Sequence, residues 1–98
     1  MSISLVSPEV LERLWTENQM SEKRSTGILT ERIVHQTAAR NPRYAGGASR
    51  IILLITPRGQ HIGTIHEVVQ PDGTVEHSHA KDYMLRDCSR VRVLEEPF

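Results

Sequence analysis

The chain has one cysteine, no net charge, and no apolar run long enough to cross a bilayer. Each shortage removes a class of explanation. Cys88 alone cannot close an internal disulfide, so stability must come from packing; this suits a reducing compartment, and the chain reads as cytoplasmic. The opening residues, Met1 to Ser7, carry no basic region leading into a long apolar stretch, so no secretory leader is expected. No segment approaches the roughly 20 apolar residues of a spanning helix, and no membrane partner is expected. Zero net charge argues against a strong, non-specific nucleic-acid binder. Gly46-Gly47 lacks the Gly-Lys-Ser/Thr ending of a phosphate-cradling loop and leads into an arginine and a strand rather than a helix.

What is present points to one α+β domain over residues 1–98. A hydrophobic share of 38% and a charged share of 24% are those of a globular chain, not a disordered one. Charge is unevenly spread. Between Met20 and Arg50 lie Lys23, Arg24, Arg32, Arg40, Arg43 and Arg50 against only Glu22 and Glu31. Ten of the 12 basic residues are arginine, whose planar fork suits carboxylates and phosphates, although a GC-rich genome gives the same bias. Arg32, Arg40 and Arg43 are the binding candidates of this middle segment.

Ser7 can cap a first helix, Pro8 fits its first position, and Glu9 suits the positive end of the dipole. Val6 and Leu11 stand where a hydrophobic staple packs. Val10, Leu11, Leu14 and Trp15 form an apolar stripe that predicts a helix running to Gln19 or Met20, before a polar stretch over Ser21–Thr26. From Gly27 to Arg40, Ile28, Leu29, Ile33, Val34, Thr37 and Ala38 fit one broad helical face, and a second helix is the reading adopted. A strand through Ile28–Gln36 competes with it, because isoleucine, threonine and valine are concentrated there.

From Arg50 the period changes. Ile51–Ile55 is a continuous apolar run, the mark of a strand covered on both faces. Strands over His61–Val69, Thr74–Ala80 and Arg90–Leu94 follow. The expected architecture is two N-terminal helices followed by a four-stranded antiparallel sheet, ordered either as a meander or with Arg90–Leu94 beside Ile51–Ile55. Pro57-Arg58-Gly59 and Pro71-Asp72-Gly73 read as three-residue hairpin loops, with proline at the first position of a type I turn and glycine in the left-handed bulge.

Counting back from those loops sets Val69 opposite Val75, Glu67 opposite His77, Ile65 opposite His79 and Ile55 opposite His61. One face then collects Ile51, Leu53, Ile55, His61, Ile65, Glu67, Val69, Val75, His77 and His79. The other, assigned to the helix-covered core, collects Ile52, Leu54, Ile62, Thr64, His66, Val68, Glu76, Ser78 and Ala80.

The first face is expected to act as an apolar floor (Leu53, Ile55, Ile65, Val69 and Val75) rimmed by His61, Glu67, His77 and His79. Its leading reading is a non-catalytic contact surface for a protein partner or a second copy of the chain. The alternative is acid–base chemistry by His77, His79 and His61, with Glu67 orienting His77. Two histidines near arginines suffice for metal-independent RNA cleavage: one takes the 2′-hydroxyl proton, the other protonates the leaving oxygen. His-x-His on a strand can also chelate a metal given a third ligand, but the glycine and glutamate spacing of the cupins is not reproduced by Gly73 and Asp82. No metal and no cofactor are therefore expected. Over residues 7–94, two helices followed by a four-stranded antiparallel sheet resemble small bacterial ribonuclease toxins of the barnase/RelE-like group. That resemblance implies RNA as a partner.

Overall fold

Hairpin loops fix most of this chain. In the computed structural model, which describes residues 3–40 and 42–93 and all their side chains except those of Glu76 and His77, Thr56 closes on Gln60 and Gln70 on Thr74. The backbone N–H of Thr56 donates to the Gln60 carbonyl at 2.9 Å, and that of Gln70 to Thr74 at 2.8 Å. Gly59 and Gly73 hold φ of 83° and 90°, the left-handed conformation that a three-residue loop requires. A third loop of the same kind, Arg86-Asp87-Cys88, closes Leu85 on Ser89, with Cys88 at φ 67° in the glycine position. Asp72 and Asp87 accept the backbone N–H groups of Thr74 and Ser89, each at 2.9 Å.

These loops join β3 (Ala48–Ile55), β4 (His61–Val69), β5 (Val75–Met84) and β6 (Arg90–Val93) into an antiparallel meander. The α+β class holds, but the sheet is six-stranded and mixed, ordered β1-β6-β5-β4-β3-β2. The two added strands are β1 (Ile3–Val6), parallel to β6, and β2 (Thr30–Ala38), antiparallel to β3. The expected last strand thus lies beside β5 over Arg90–Val93, and Leu94 falls outside the described residues.

β2 occupies the segment expected to be a second helix. Its β-branched residues pair with β3, and a bulge between Ile33 and His35 breaks the alternation that would have revealed a period of two. The second helix lies earlier, in the stretch expected to be a polar connection: α1 (Pro8–Glu17) stops at Asn18, Gln19 turns left-handed at φ 53°, and α2 runs over Met20–Ser25. The Ser7 cap forms as expected, its side chain accepting from the Val10 N–H. No described helix is long and apolar enough to cross a membrane.

Both helices cover one face of the sheet. α1 packs across β5 and β6, and Leu11 and Met20 are fully buried against Ile52, Leu54, Ile65, Tyr83, Val91 and Val93. Trp15 lies edge-on to Tyr83, with ring centroids 6.1 Å apart, and directly over Gly63, where a Cβ would stand 2.8 Å from the indole. Among the described residues, no α-helix covers the opposite face. Ile51–Ile55 is therefore covered on one side only: Ile52 and Leu54 are buried, while Ile51, Leu53 and Ile55 are half-buried on the open side.

Four bulges shape that open face: those at Val34 in β2 and Lys81 in β5 set His35 and Asp82 on it, and two more decide the direction of β4. The first, at Ile62, separates Ile55↔His61 from Leu54↔Gly63; the second, at Glu76, separates Val69↔Val75 from Val68↔His77. Each adds one residue to one strand, and a one-residue slip exchanges faces. The middle of β4 is thereby inverted relative to expectation. Ile65 (3% exposed), Glu67 (4%) and Val69 (5%) point into the covered side, while Thr64, His66 and Val68 point to the open side. His66, not Ile65, stands opposite His79, and Ser78, not His77, stands opposite Glu67.

Candidate functional site

The open face can be read row by row across the strands. One row runs Arg92, Asp82, Thr64, Leu53, Arg32; the next runs His79, His66, Ile51, His35; beyond it lie Val68, Ser49 and Thr37. On the other side of the arginine row, His61 pairs with Ile55, and Arg90 with Met84. Four histidines whose side chains are described share this face. Among the described strand residues directed there, Asp82 is the only carboxylate, against Arg32, Arg90 and Arg92. Zero net charge conceals a cationic side.

The histidine row brings two imidazoles into ring contact. The rings of His66 and His79 sit edge to face, with centroids 5.0 Å apart at 64°. Ser49 Oγ lies 2.6 Å from His66 Nε2, so the hydroxyl can fix the tautomer of that ring. His79 is exposed and His66 half-buried. A singly protonated pair of this kind contains one general base and one general acid.

A second cluster stands further along β4. His61 Nε2 is 2.8 Å from Thr64 Oγ1 and 4.0 Å from Asp82 Oδ1. Arg90 donates to Asp82 Oδ1 at 3.0 Å and to the His61 carbonyl at 2.9 Å, locking the carboxylate and the strand together. Burial lowers the His61 pKa from its usual 6.5, the charge of Arg90 lowers it further, and Asp82 opposes the change. The unfolded chain therefore takes up this proton first as pH falls below about 6.5. Stability is lost from there down to the folded value, and nothing is contributed above 6.5. His61→Gln is expected to shrink the fall in urea midpoint between pH 7 and pH 5. An equal fall in variant and parent would show that His61 plays no part.

Glu67 has a different employment. On the covered side Arg24 of α2 grips it with two hydrogen bonds, Nη1 to Oε2 at 2.9 Å and Nη2 to Oε1 at 3.0 Å, and also holds Glu31 at 2.9 Å. The hydrogen bond to Glu67 is the largest influence on the guanidinium and raises its pKa. Glu67 thus ties α2 to the sheet and cannot orient a histidine on the far side.

The expected site is brought together in part. His61 and His79 lie on the open face. The side chain of His77 is outside the described residues; its backbone pairs with Val68. Of the binding candidates, Ile65 and Val69 are in the interior, and Val75 shares Val69's row yet is 50% exposed. Arg32 is exposed in β2, Arg40 just beyond it, and Arg43 in the 3-10 turn Pro42–Tyr44. Sequence reasoning missed Ser49, Thr64, His66, Asp82 and Arg90. One signal for the inversion was available: an isolated glycine within a strand, Gly63, marks a bulge or a close approach, and here it marks both. No group of three or more potential metal ligands forms among the described residues. The chain matches no protein-family model, no curated protein and no solved structure.

Proposed function

We propose that the open face cleaves RNA without a metal, using His66 and His79 as the acid–base pair. The observation that carries this reading is the ring contact of those two imidazoles on a cationic sheet face, with Ser49 holding one of them. His66, held by Ser49, serves as the base, and the exposed His79 as the acid. The base takes the 2′-hydroxyl proton as the 2′-oxygen attacks phosphorus. The bond from phosphorus to the 5′-oxygen breaks, and the acid delivers its proton to that oxygen. The products are a 2′,3′-cyclic phosphate and a 5′-hydroxyl, and the two histidines have exchanged protonation states.

The test is to incubate the purified protein with RNA in excess chelator. Fragments ending in 2′,3′-cyclic phosphate are the expected result; intact RNA would overturn the reading. A second reading, a contact surface for a protein or another copy of this chain, is supported by Ile51, Leu53 and Ile55, which stay on the open face half-buried. Inert RNA together with self-association abolished by Ile55→Asp would favour it.

A further inference from the structure

The inversion of β4 sets the histidine pair at the centre of the open face, with an exposed arginine at each side of it. Arg92 on β6 and Arg32 on β2 lie in the row next to the histidines, and both are exposed. In the order β6-β5-β4-β3-β2 the pair spans β5 and β4, so β6 lies about 5 Å beyond His79 and β2 about 10 Å beyond His66 at the usual strand spacing. Adjacent rows are two residues apart, about 7 Å along a strand. A phosphate seated over the two rings would therefore have a guanidinium toward either side, Arg92 on the side of His79 and Arg32 on the side of His66. Between the arginines the floor is Ile51, Leu53 and Thr64, an apolar and uncharged strip. Asp82, the one carboxylate in the row, is buried and neutralised by Arg90, so it does not repel a polyanion.

From this placement we infer that the substrate is a single strand of RNA laid across the strands of the sheet, with Arg92 and Arg32 holding the phosphates flanking the scissile one. The inference rests on the reading of the histidine pair as the cleaving site. A single strand is required because its bases can be turned onto the Ile51–Leu53 floor, whereas in a duplex they are stacked and paired away from it. Guanidinium forks suit the non-bridging phosphate oxygens, and leucine and isoleucine offer no hydrogen bonds to base edges. Length is read by this surface; sequence is not.

The experiment measures kcat/KM on a dinucleotide, which has only the scissile phosphate, and on tetranucleotides with one flanking phosphate on each side. Each added contact is expected to raise kcat/KM about tenfold, the worth of a charge-assisted hydrogen bond. The tetranucleotide should thus exceed the dinucleotide about 100-fold in the parent protein. Arg92→Ala or Arg32→Ala should each reduce that ratio to about tenfold. Each should also lower by about 0.7 the salt slope for binding a non-cleavable 2′-deoxy tetranucleotide. Arg13→Ala on the outer face of α1 should leave the ratio at its parent value. Equal rates on the two lengths, an arginine-independent ratio, or duplex RNA cut as fast as single strands would overturn the inference while leaving the cleaving site intact. No cleavage of any RNA would overturn both.

Discussion

His79→Ala is expected to lower RNA cleavage by about 100- to 10,000-fold, the range for losing a positioned general acid or base. The fold should be untouched, since His79 is exposed on the open side. His66→Ala should cost a similar factor. The informative result is the double variant. Groups acting as one unit do not add, so His66→Ala/His79→Ala should fall little below either single change. Multiplicative losses would mean that the rings serve separate steps. The pH profile of kcat/KM gives the companion signature: a bell in the parent, because the pair must hold one proton, and a single limb once either ring is gone. Thermal midpoints of all three variants, measured alongside, separate lost chemistry from lost structure.

The largest effect on stability is expected at Arg24. Glu67 is 4% exposed on the covered side and takes both of its described hydrogen bonds from that guanidinium. Arg24→Met leaves the carboxylate buried without its partner, a change that costs about 3–5 kcal/mol where such pairs are fully enclosed. The Arg24 side chain is 28% exposed. Water can therefore reach part of the space it leaves, and the lower end of that range, about 3 kcal/mol, is expected. Glu67→Met removes the buried charge and leaves Arg24 its bond to Glu31, so it should cost less. The double change Arg24→Met/Glu67→Met should recover most of the loss, since a packed apolar pair avoids the desolvation of both charges. Urea unfolding of the four proteins forms a closed cycle. Two single costs that sum to the cost of the double would show that the bidentate contact contributes nothing beyond its separate parts. Cleavage by folded Arg24→Met should match the parent, because this network lies on the side of the sheet away from the histidines.

Local chemistry was legible wherever it was strong. The Ser7 cap with Pro8 started α1 where expected, and the Pro-x-x turns gave two hairpin loops with the right closing pairs. Long-range pairing was not legible. Residues 28–36 carry both a helical stripe and a β-rich composition. The choice between them was made by the free edge of β3, a property of the assembled sheet rather than of the segment. β1 is only four residues and forms by lying parallel to β6, at the far end of the chain. The register failed through single inserted residues. A bulge at Ile62 and another at Glu76 leave β3 and His79 as expected but turn over the middle of β4. That one inversion moved Glu67 from the histidines to Arg24, moved Ile65 and Val69 from the proposed floor into the interior, and set His66 beside His79. Gly63 announced the first bulge; nothing in Val75-Glu76-His77 announced the second.

The most direct measurement of the cleaving role uses an oligonucleotide of 2′-deoxy residues with a single ribose at its centre, incubated with the protein in excess chelator. Cleavage only on the 3′ side of that ribose, leaving a 2′,3′-cyclic phosphate and abolished by His79→Ala, is the expected result. Cleavage at deoxy positions, dependence on added metal, or cleavage that survives loss of both His66 and His79 would contradict it.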